Sequence, residues 1–123
     1  MIRIVGIQRN DDPAKEFVLL QNQGSLRINL RGHVVIGDAA VNAGDPSEAL
    51  HIFTDDVDIH PGMYVLLRSA GGVSHWNHSQ DRYSTYYSYM QRRSGIWFRQ
   101  LGPIHVLAPQ HSWQERPREA MIV

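Results

Sequence analysis

The chain has 123 residues, no cysteine, and twelve basic residues that balance twelve acidic ones. This length fits one domain with a single hydrophobic core, and the lack of cysteine excludes a disulfide framework, a thiolate zinc site and a cysteine nucleophile. The balanced charge excludes the global field that would draw the whole protein onto DNA or anionic lipid, so any such binding must be local.

Short runs of β-branched and aromatic residues, bounded by Gly, Pro, Asn and Asp, dominate the chain, and no long segment has helical periodicity. Turn sequences such as "NQGS", "HPG" and "LGP" separate these runs. In chain order the runs predict strands at Ile2 to Arg9, Glu16 to Gln23, Leu26 to Leu30, His33 to Gly37, Leu50 to Phe53, Tyr64 to Arg68, Ser84 to Met90, Ile96 to Arg99 and Ile104 to Leu107. We therefore expect an all-β domain over residues 1–109, followed by a C-terminal tail over residues 110–123.

The second predicted strand, "EFVLLQNQ", carries apolar residues on both faces. Val18 and Leu20 fall on one face and Phe17 and Leu19 on the other, because successive side chains of a strand point to opposite sides. A strand that is covered on both faces belongs in the interior of a sheet. The strand pattern, together with the resemblance described next, assigns six residues to the core, namely Val18, Leu20, Val35, Phe53, Val65 and Leu67.

Three ordered segments carry a resemblance to a known family: "KEFVLLQNQGSLRINLRGHVVIGD", then "HIFTDDVDIHPGMYVLLRSAGG", then "MQRRSGIWFRQLGPIHVLAP". Their order and spacing resemble the lamin-tail domain over most of residues 2–109. The resemblance implies an immunoglobulin-like β-sandwich of two antiparallel sheets, in which Ser94 and Gly95 open a last hairpin with "LGP" as its turn. It also implies an interaction or accessory role.

Two positions and one loop depart from the family pattern. His33 stands where the family commonly has tryptophan, and Leu19 stands where it commonly has an acidic residue. Both changes alter packing without threatening the predicted fold. The loop over residues 72–84 matches no family pattern, so its role has to be inferred from its own residues.

Candidate metal ligands are His75, His78 and Asp81, because imidazole and carboxylate are standard zinc ligands. No predicted helix holds the two imidazoles on one face, and the acidic turn "TDDVDIHPG" lacks the ligand series of an EF-hand loop. The sequence also has no "GxSxG" elbow and no glycine-rich phosphate loop before a helix. We therefore expect no cofactor, no metal and no enzymatic activity, with a metal-dependent enzyme as the weakest alternative.

The stretch "HWNHSQDRYSTYYSYMQRR", residues 75–93, mixes arginines with aromatic residues. It predicts a long surface loop from His75 to about Tyr83 that leads into an edge or near-edge strand. Within that strand, alternation places Tyr86 and Tyr87 on opposite faces, so one of them is expected in the core. The predicted contact residues are Trp76, Arg82, Tyr83, Tyr86, Arg92 and Arg93.

Arginine interleaved with aromatic residues is typical of protein interfaces and also of nucleic-acid surfaces. We expect a non-catalytic recognition or scaffolding module that binds a protein partner, and exposed aromatics in this stretch also favour a homodimer. Nucleic-acid binding is the alternative, less favoured because the neutral chain lacks an extended basic footprint. The opening "MIRIVGIQRNDD" is not a secretory signal, and no segment has the roughly 20 apolar residues of a membrane span. This predicts a cytoplasmic protein that does not contact a membrane, or an extracellular one if the chain is a fragment.

Overall fold

The structure, a computed structural model, describes residues 1–44, 49–78, 84–100 and 102–110. This part of the chain contains ten strands and one short helix, which confirms the all-β expectation. The elements are β1 (Ile2–Gln8), β2 (Phe17–Asn22), β3 (Ile28–Asn29), β4 (Val34–Gly37), α1 (Asp38–Ala43), β5 (Leu50–Ile52), β6 (Asp58–Ile59), β7 (Tyr64–Arg68), β8 (His75–Asn77), β9 (Thr85–Tyr89) and β10 (Ile104–Leu107).

The strands form three sheets. The largest has five strands in the order β1-β2-β7-β9-β8, a second has the order β10-β4-β5, and β3 pairs with β6 in a third. β2 lies between β1 and β7, which confirms that it is an interior strand. β9 is second from the edge of the large sheet, so its predicted near-edge position is also confirmed.

The large sheet is mixed, which corrects the expectation of purely antiparallel sheets. β7 and β9 run parallel, whereas every other described pair is antiparallel. The order of the strands explains the difference. After β7 the chain first forms β8 at the edge and then returns between the two strands as β9, which makes β9 antiparallel to β8 and parallel to β7.

The hydrophobic core lies against one face of the large sheet. All six predicted core residues have 0% of their surface exposed, which confirms that prediction. On β2 the alternation is complete, since Val18 and Leu20 are buried while Phe17 and Leu19 remain half-buried on the opposite face. Trp97 is also 0% exposed and joins this core from outside the sheets.

Asn22 ends β2 inside the protein, where only 1% of its surface is exposed. Its side-chain amide donates to the carbonyl oxygens of Ile59 at 2.8 Å and Leu26 at 2.9 Å. Its Oδ1 accepts from the backbone N–H of Gly24 at 3.0 Å. A buried amide needs such partners. Asn22 therefore ties the end of the interior strand to the segments around β3 and β6.

α1 is too short to give a helical pattern in the sequence. It follows Gly37 and ends at Gly44, whose φ of 66° is the left-handed conformation that commonly terminates a helix. In its first turn, Asp38 accepts from Asn42 Nδ2 at 3.0 Å, and its Oδ1 lies 2.7 Å from His105 Nε2. The second contact attaches the helix to β10.

Two predicted segments differ from the structure. Residues 96–99 form bends and a turn instead of a strand, so Ser94 and Gly95 do not open a hairpin. Their apolar composition reflects burial of Trp97, and their backbone N–H groups are used elsewhere, as described below. His75–Asn77 forms the edge strand β8, whereas a loop was expected, because its three residues pair with β9.

The predicted tail over residues 110–123 lies outside the described residues except for Gln110, which is exposed. Within the described ranges, no helix has the length and apolar character needed to cross a membrane.

Candidate functional site

Glu16, the residue before β2, is a carboxylate that the fold buries completely, with 0% of its surface exposed. Burial of a carboxylate costs several kcal/mol unless hydrogen bonds or an ion pair replace the lost water. The carboxylate accepts five hydrogen bonds, from Ser69 Oγ at 2.7 Å and from the backbone N–H groups of Asn10, Ile96, Trp97 and Phe98 at 2.7–3.1 Å. Glu16 therefore fixes the segment of residues 94–98, here called the 94–98 turn, beside β2.

The 94–98 turn has two further anchors. The N–H of Gly95 donates to the carbonyl oxygen of Asp11 at 2.8 Å. A Cβ at Gly95 would lie 1.8 Å from the carbonyl oxygen of Asn10, so only glycine fits this close approach. Trp97 fills the core behind the turn. These contacts hold the backbone of the turn in one arrangement.

A pocket of about 250 Å³ opens at this turn. We call it the arginine pocket, and its lining residues are Arg92, Arg93, Ser94, Gly95, Ile96, Arg99 and Gln100. Three of its seven lining residues are arginines. Arginine is suited to carboxylate and phosphate ligands because its planar fork of N–H donors matches their oxygens.

The three guanidinium groups have no acidic partner within the described ranges. The ion pairs found there, Arg27 with Asp58 and His105 with Asp38, both lie outside the arginine pocket. Arg99 lies over the ring of Phe98, with 5.0 Å from Cζ to the ring centroid, a cation–π contact. The pocket is therefore lined by three arginines that form no ion pair within the described part of the protein.

Hydrogen bonds through Ser69, the residue after β7, link Arg92 to the large sheet and to the buried carboxylate of Glu16. The backbone N–H of Arg92 donates to the carbonyl oxygen of Ser69 at 2.8 Å, and the hydroxyl of Ser69 donates to Glu16. Arg92 also acts on His51, whose pKa is lowered mainly by burial and further by the charge of Arg92, against the opposing effect of Asp55. The charge of Arg92 thus affects the pKa of His51 on β5.

The structure separates the predicted contact residues into three groups. Arg92 and Arg93 are exposed and line the arginine pocket. Tyr86 is only 6% exposed, and Trp76 is half-buried with its ring 5.2 Å from that of Tyr86, so both pack towards the core. Arg82 and Tyr83 lie outside the described residues.

Tyr86 is held in place by its hydroxyl group, which donates to Asp55 Oδ2 at 2.8 Å. Burial is the main cause that raises the pKa of Tyr86, and the hydrogen bond to Asp55 raises it further. Ser88, on the same face of β9, also donates to Asp55, at 3.3 Å. Of the two tyrosines that alternation separated, Tyr86 is the core residue and its role is structural.

Tyr87 lies on the opposite face of β9 and forms part of an aromatic cluster on the outside of the large sheet. The ring of His75 on β8 stacks on Tyr87, with 5.0 Å between centroids and 5° between planes, and lies 6.2 Å from Tyr89. Both tyrosines are half-buried. Because these rings stack on one another, the cluster stabilises the pairing of β8 with β9.

Of the candidate metal ligands, only His75 and His78 lie among the described residues, and they contact other groups there. Within the part of the chain that the structure describes, no group of three or more His, Asp or Glu side chains could hold a metal ion. Nδ1 of His75 lies 2.8 Å from the carbonyl oxygen of Val73, and Nδ1 of His78 lies 2.9 Å from Ser84 Oγ. Asp81 lies outside the described residues.

Arg99 is the pocket residue that the sequence interpretation missed. The 94–98 turn, which replaces the predicted strand, brings Arg99 to the same pocket as Arg92 and Arg93. The available signal was the pair "SG" between "QRR" and "IWFR", since Ser and Gly favour a chain reversal that returns the second basic segment to the first.

No protein-family model, curated protein or solved structure matches the chain. The candidate function is therefore argued from the side chains of this protein and their geometry.

Proposed function

We propose that this protein is a non-catalytic recognition module that binds an acidic segment of a protein partner at the arginine pocket. The observation that carries the proposal is the convergence of Arg92, Arg93 and Arg99 without an acidic partner among the described residues. Like charges held close together repel one another. A ligand that brings negative charge relieves this repulsion, so binding and charge neutralisation favour the same complex.

The backbone behind the pocket supports this role. The 94–98 turn is fixed by Glu16, and Arg92 is fixed through Ser69, so little backbone freedom is lost when a partner binds. Preorganisation of this kind raises affinity because it removes an entropic cost of association. Arginine is also among the residues enriched at the energetic centres of protein interfaces.

A protein partner suits the site better than a nucleic acid. The arginine pocket is compact, and the balanced charge of the chain provides no long basic track for a nucleic-acid backbone. The resemblance to lamin-tail domains, with an immunoglobulin-like sandwich as the proposed architecture, supports the same class of function. A rigid β-scaffold that presents binding residues on its connections is a common arrangement for such modules.

A fluorescence-anisotropy titration with three labelled probes tests the proposal. The probes are a glutamate-rich peptide, a peptide of equal length with glutamine in place of glutamate, and a single-stranded oligonucleotide. We expect the acidic peptide to bind and the neutral peptide to fail. Substituting Arg92, Arg93 and Arg99 together by alanine should weaken binding at least about tenfold, because each charge-assisted hydrogen bond contributes about 1.5–3 kcal/mol.

The matched control is a second triple variant, Arg3→Ala with Arg27→Ala and Arg31→Ala. It removes the same charge from exposed positions outside the pocket, so it should retain most of the affinity for the acidic peptide. Equal losses in the two variants would show that only net charge matters and would reject the pocket. Salt-sensitive binding of the oligonucleotide, tighter than that of the acidic peptide, would favour the nucleic-acid alternative.

Sedimentation velocity on the same variants tests the predicted homodimer.

A further inference from the structure

We infer that the arginine pocket takes a phosphoryl group, presented by a phosphorylated side chain of the protein partner. The inference rests on the proposed function and names the group that the same site recognises. Three observations carry it: the number of arginines that line the pocket, the size of the pocket, and two lining residues whose backbone N–H groups donate to no described atom.

The number of positive charges favours a dianion over a single carboxylate. The pocket contains three guanidinium groups, and no carboxylate of the described residues lies within salt-bridge distance of them. A carboxylate supplies one negative charge and two oxygens. A phosphoryl group near neutral pH supplies about 1.5 to 2 negative charges and three acceptor oxygens. It is therefore the common biological group that best matches three converging arginines, each of which donates in a fork.

The volume of the pocket favours a small head group over an extended ligand. About 250 Å³ lies below the range of roughly 300–1,000 Å³ that is typical of sites for drug-sized molecules and cofactors. A phosphoryl group with the end of its side chain fits such a space. Ser94 and Gln100 place further polar groups in the lining.

Backbone donors add to the arginine side chains. The N–H of Arg92 is used by Ser69 and that of Gly95 by Asp11, whereas those of Arg93 and Ser94 donate to no described atom. Residues 96–98 already donate to Glu16. Successive free N–H groups beside a basic pocket are a recurrent feature of phosphate sites. The N–H groups of Arg93 and Ser94 both belong to residues that line the pocket.

The fixed position of Arg99 further favours a small, directional ligand. Its guanidinium group lies over the ring of Phe98, whose backbone N–H is bound by Glu16. The cation–π contact restrains this side chain, and Arg99 itself remains exposed to a ligand. A ligand with oxygens directed to several sides, such as a phosphoryl group, uses this arrangement better than a planar carboxylate.

Isothermal titration with three peptides tests the inference. The peptides are identical except at a central position, which is phosphoserine, glutamate or serine, and their flanking residues carry no charge. We expect the phosphoserine peptide to bind at least about tenfold more tightly than the glutamate peptide, and the serine peptide not to bind. Inorganic phosphate should compete with the phosphopeptide, whereas chloride at equal ionic strength should compete much less.

Two sets of variants locate the site. Replacing Arg92, Arg93 and Arg99 by alanine should abolish the preference for phosphoserine, whereas the control variant at Arg3, Arg27 and Arg31 should keep it. Replacing the three pocket arginines by lysine keeps the charge but removes the forked donors. We expect the lysine variant to lose several-fold in affinity for the phosphopeptide, because point charges do not reproduce bidentate contacts.

The possible outcomes separate this inference from the proposed function. Equal binding of the phosphoserine and glutamate peptides, lost in the alanine variant, would overturn the phosphoryl assignment and leave recognition of an acidic segment intact. Failure of both peptides to bind would overturn the phosphoryl assignment, and failure of the glutamate-rich peptide as well would overturn the proposed function. A 5′-phosphorylated oligonucleotide that binds more tightly than the phosphopeptide would overturn the assignment of the phosphoryl group to a protein. Phosphopeptide binding that survives in the alanine variant would overturn the location.

Discussion

The buried carboxylate of Glu16 and the three arginines of the arginine pocket belong to one small region, and the fold treats their charges in opposite ways. Glu16 is 0% exposed and accepts five hydrogen bonds. Arg92 and Arg93 are exposed and have no acidic partner in the described part of the chain. The charge of these arginines is thus available to a ligand, whereas the carboxylate of Glu16 is satisfied by hydrogen bonds within the protein.

The comparison separates two uses of charge that composition alone treats as equal. An ion removed from water must be compensated fully by hydrogen bonds or an ion pair, and once compensated it specifies one local structure. An ion left in water needs no compensation and contributes little to stability. In this protein the buried carboxylate of Glu16 holds the 94–98 turn, and the exposed arginines lie beside that turn in the chain. Substitution of Glu16 and substitution of the pocket arginines should therefore change the stability of the protein by very different amounts.

The largest expected effect is that of Glu16→Ala. The change leaves four backbone N–H groups and the hydroxyl of Ser69 without their acceptor in a buried setting. Each such loss costs about 1–3 kcal/mol, with partial relief as water enters, so the free energy of unfolding should fall by about 4 kcal/mol. Urea denaturation followed by tryptophan fluorescence measures the change, because Trp97 lies directly behind the turn.

Two further variants define the cause of this loss. Glu16→Gln keeps one acceptor oxygen and should lose about 2 kcal/mol. Asp11→Asn removes a neighbouring exposed charge whose side chain makes no contact with the turn, and it should change stability by less than about 0.5 kcal/mol. A Glu16→Ala protein as stable as Asp11→Asn would mean that the hydrogen bonds to the turn do not hold it.

The sequence showed the longer strands but not the 94–98 turn, and it also missed the two-residue strand β6. In β2 and β7, buried Val and Leu alternate with half-buried residues, so period and composition agree and the strands could be predicted. The segment "IWFR" has the same composition, but its N–H groups are bound by Glu16, which lies 80 residues earlier in the chain. A long-range side-chain acceptor leaves no local pattern. The strand β8 escaped prediction for another reason, because three residues are too few to show a period.

The next largest effect is expected at Trp76, which the sequence grouped with Arg92 and Arg93. Its ring is half-buried against the core and contacts Tyr86 edge to face. Trp76→Ala should therefore reduce the free energy of unfolding by about 2 kcal/mol, less than for a fully buried tryptophan. His75→Ala, on the outer face of the same strand, is the matched control and should cost clearly less. Equal losses would indicate that the outer aromatic cluster is as important for stability as the core.

A smaller effect on the free energy of unfolding is expected from a change of pH. It involves two histidines, one of which is affected by an arginine of the pocket. Burial lowers the pKa of His33 and of His51 below the ordinary value of 6.5, and Arg92 lowers the pKa of His51 further. The unfolded chain then binds protons that the folded chain does not. The stability that depends on the neutral imidazoles is fully present above about pH 6.5 and is lost as the pH falls through 6.5 towards the lowered values.

Urea denaturation at about pH 7.5 and about pH 5.5 measures this dependence, and the midpoint should be lower at the acidic pH. Arg92→Ala removes one cause of the shift at His51, so it should make the loss slightly smaller, while Arg31→Ala should leave it unchanged. A loss that grows when Arg92 is removed would contradict the electrostatic link between the pocket and His51.

The candidate site was only partly predictable for a physical reason. Arg92 and Arg93 could be named as contact residues because adjacent arginines beside an aromatic strand are seldom core residues. Tyr86 was named with them, but alternation alone could not decide which of Tyr86 and Tyr87 faces inward. That choice depends on Asp55, which accepts the hydroxyl of Tyr86 from a different part of the chain. Arg99 joins the pocket only through the turn that Glu16 holds.

The smallest expected change in stability is that of the triple variant Arg92→Ala, Arg93→Ala and Arg99→Ala. The described contacts of these side chains are limited to the cation–π contact of Arg99 with Phe98, which contributes about 0.5–1 kcal/mol at an exposed site. Removal of three mutually repelling charges offsets part of that loss. The free energy of unfolding should therefore stay within about 0.5 kcal/mol of the parent value, while affinity for an acidic or phosphorylated peptide falls sharply. Urea denaturation and peptide titration on the same sample measure both quantities. A triple variant that unfolds as readily as Glu16→Ala would place the arginines with the buried carboxylate as structural groups and would remove the distinction between the two kinds of charge.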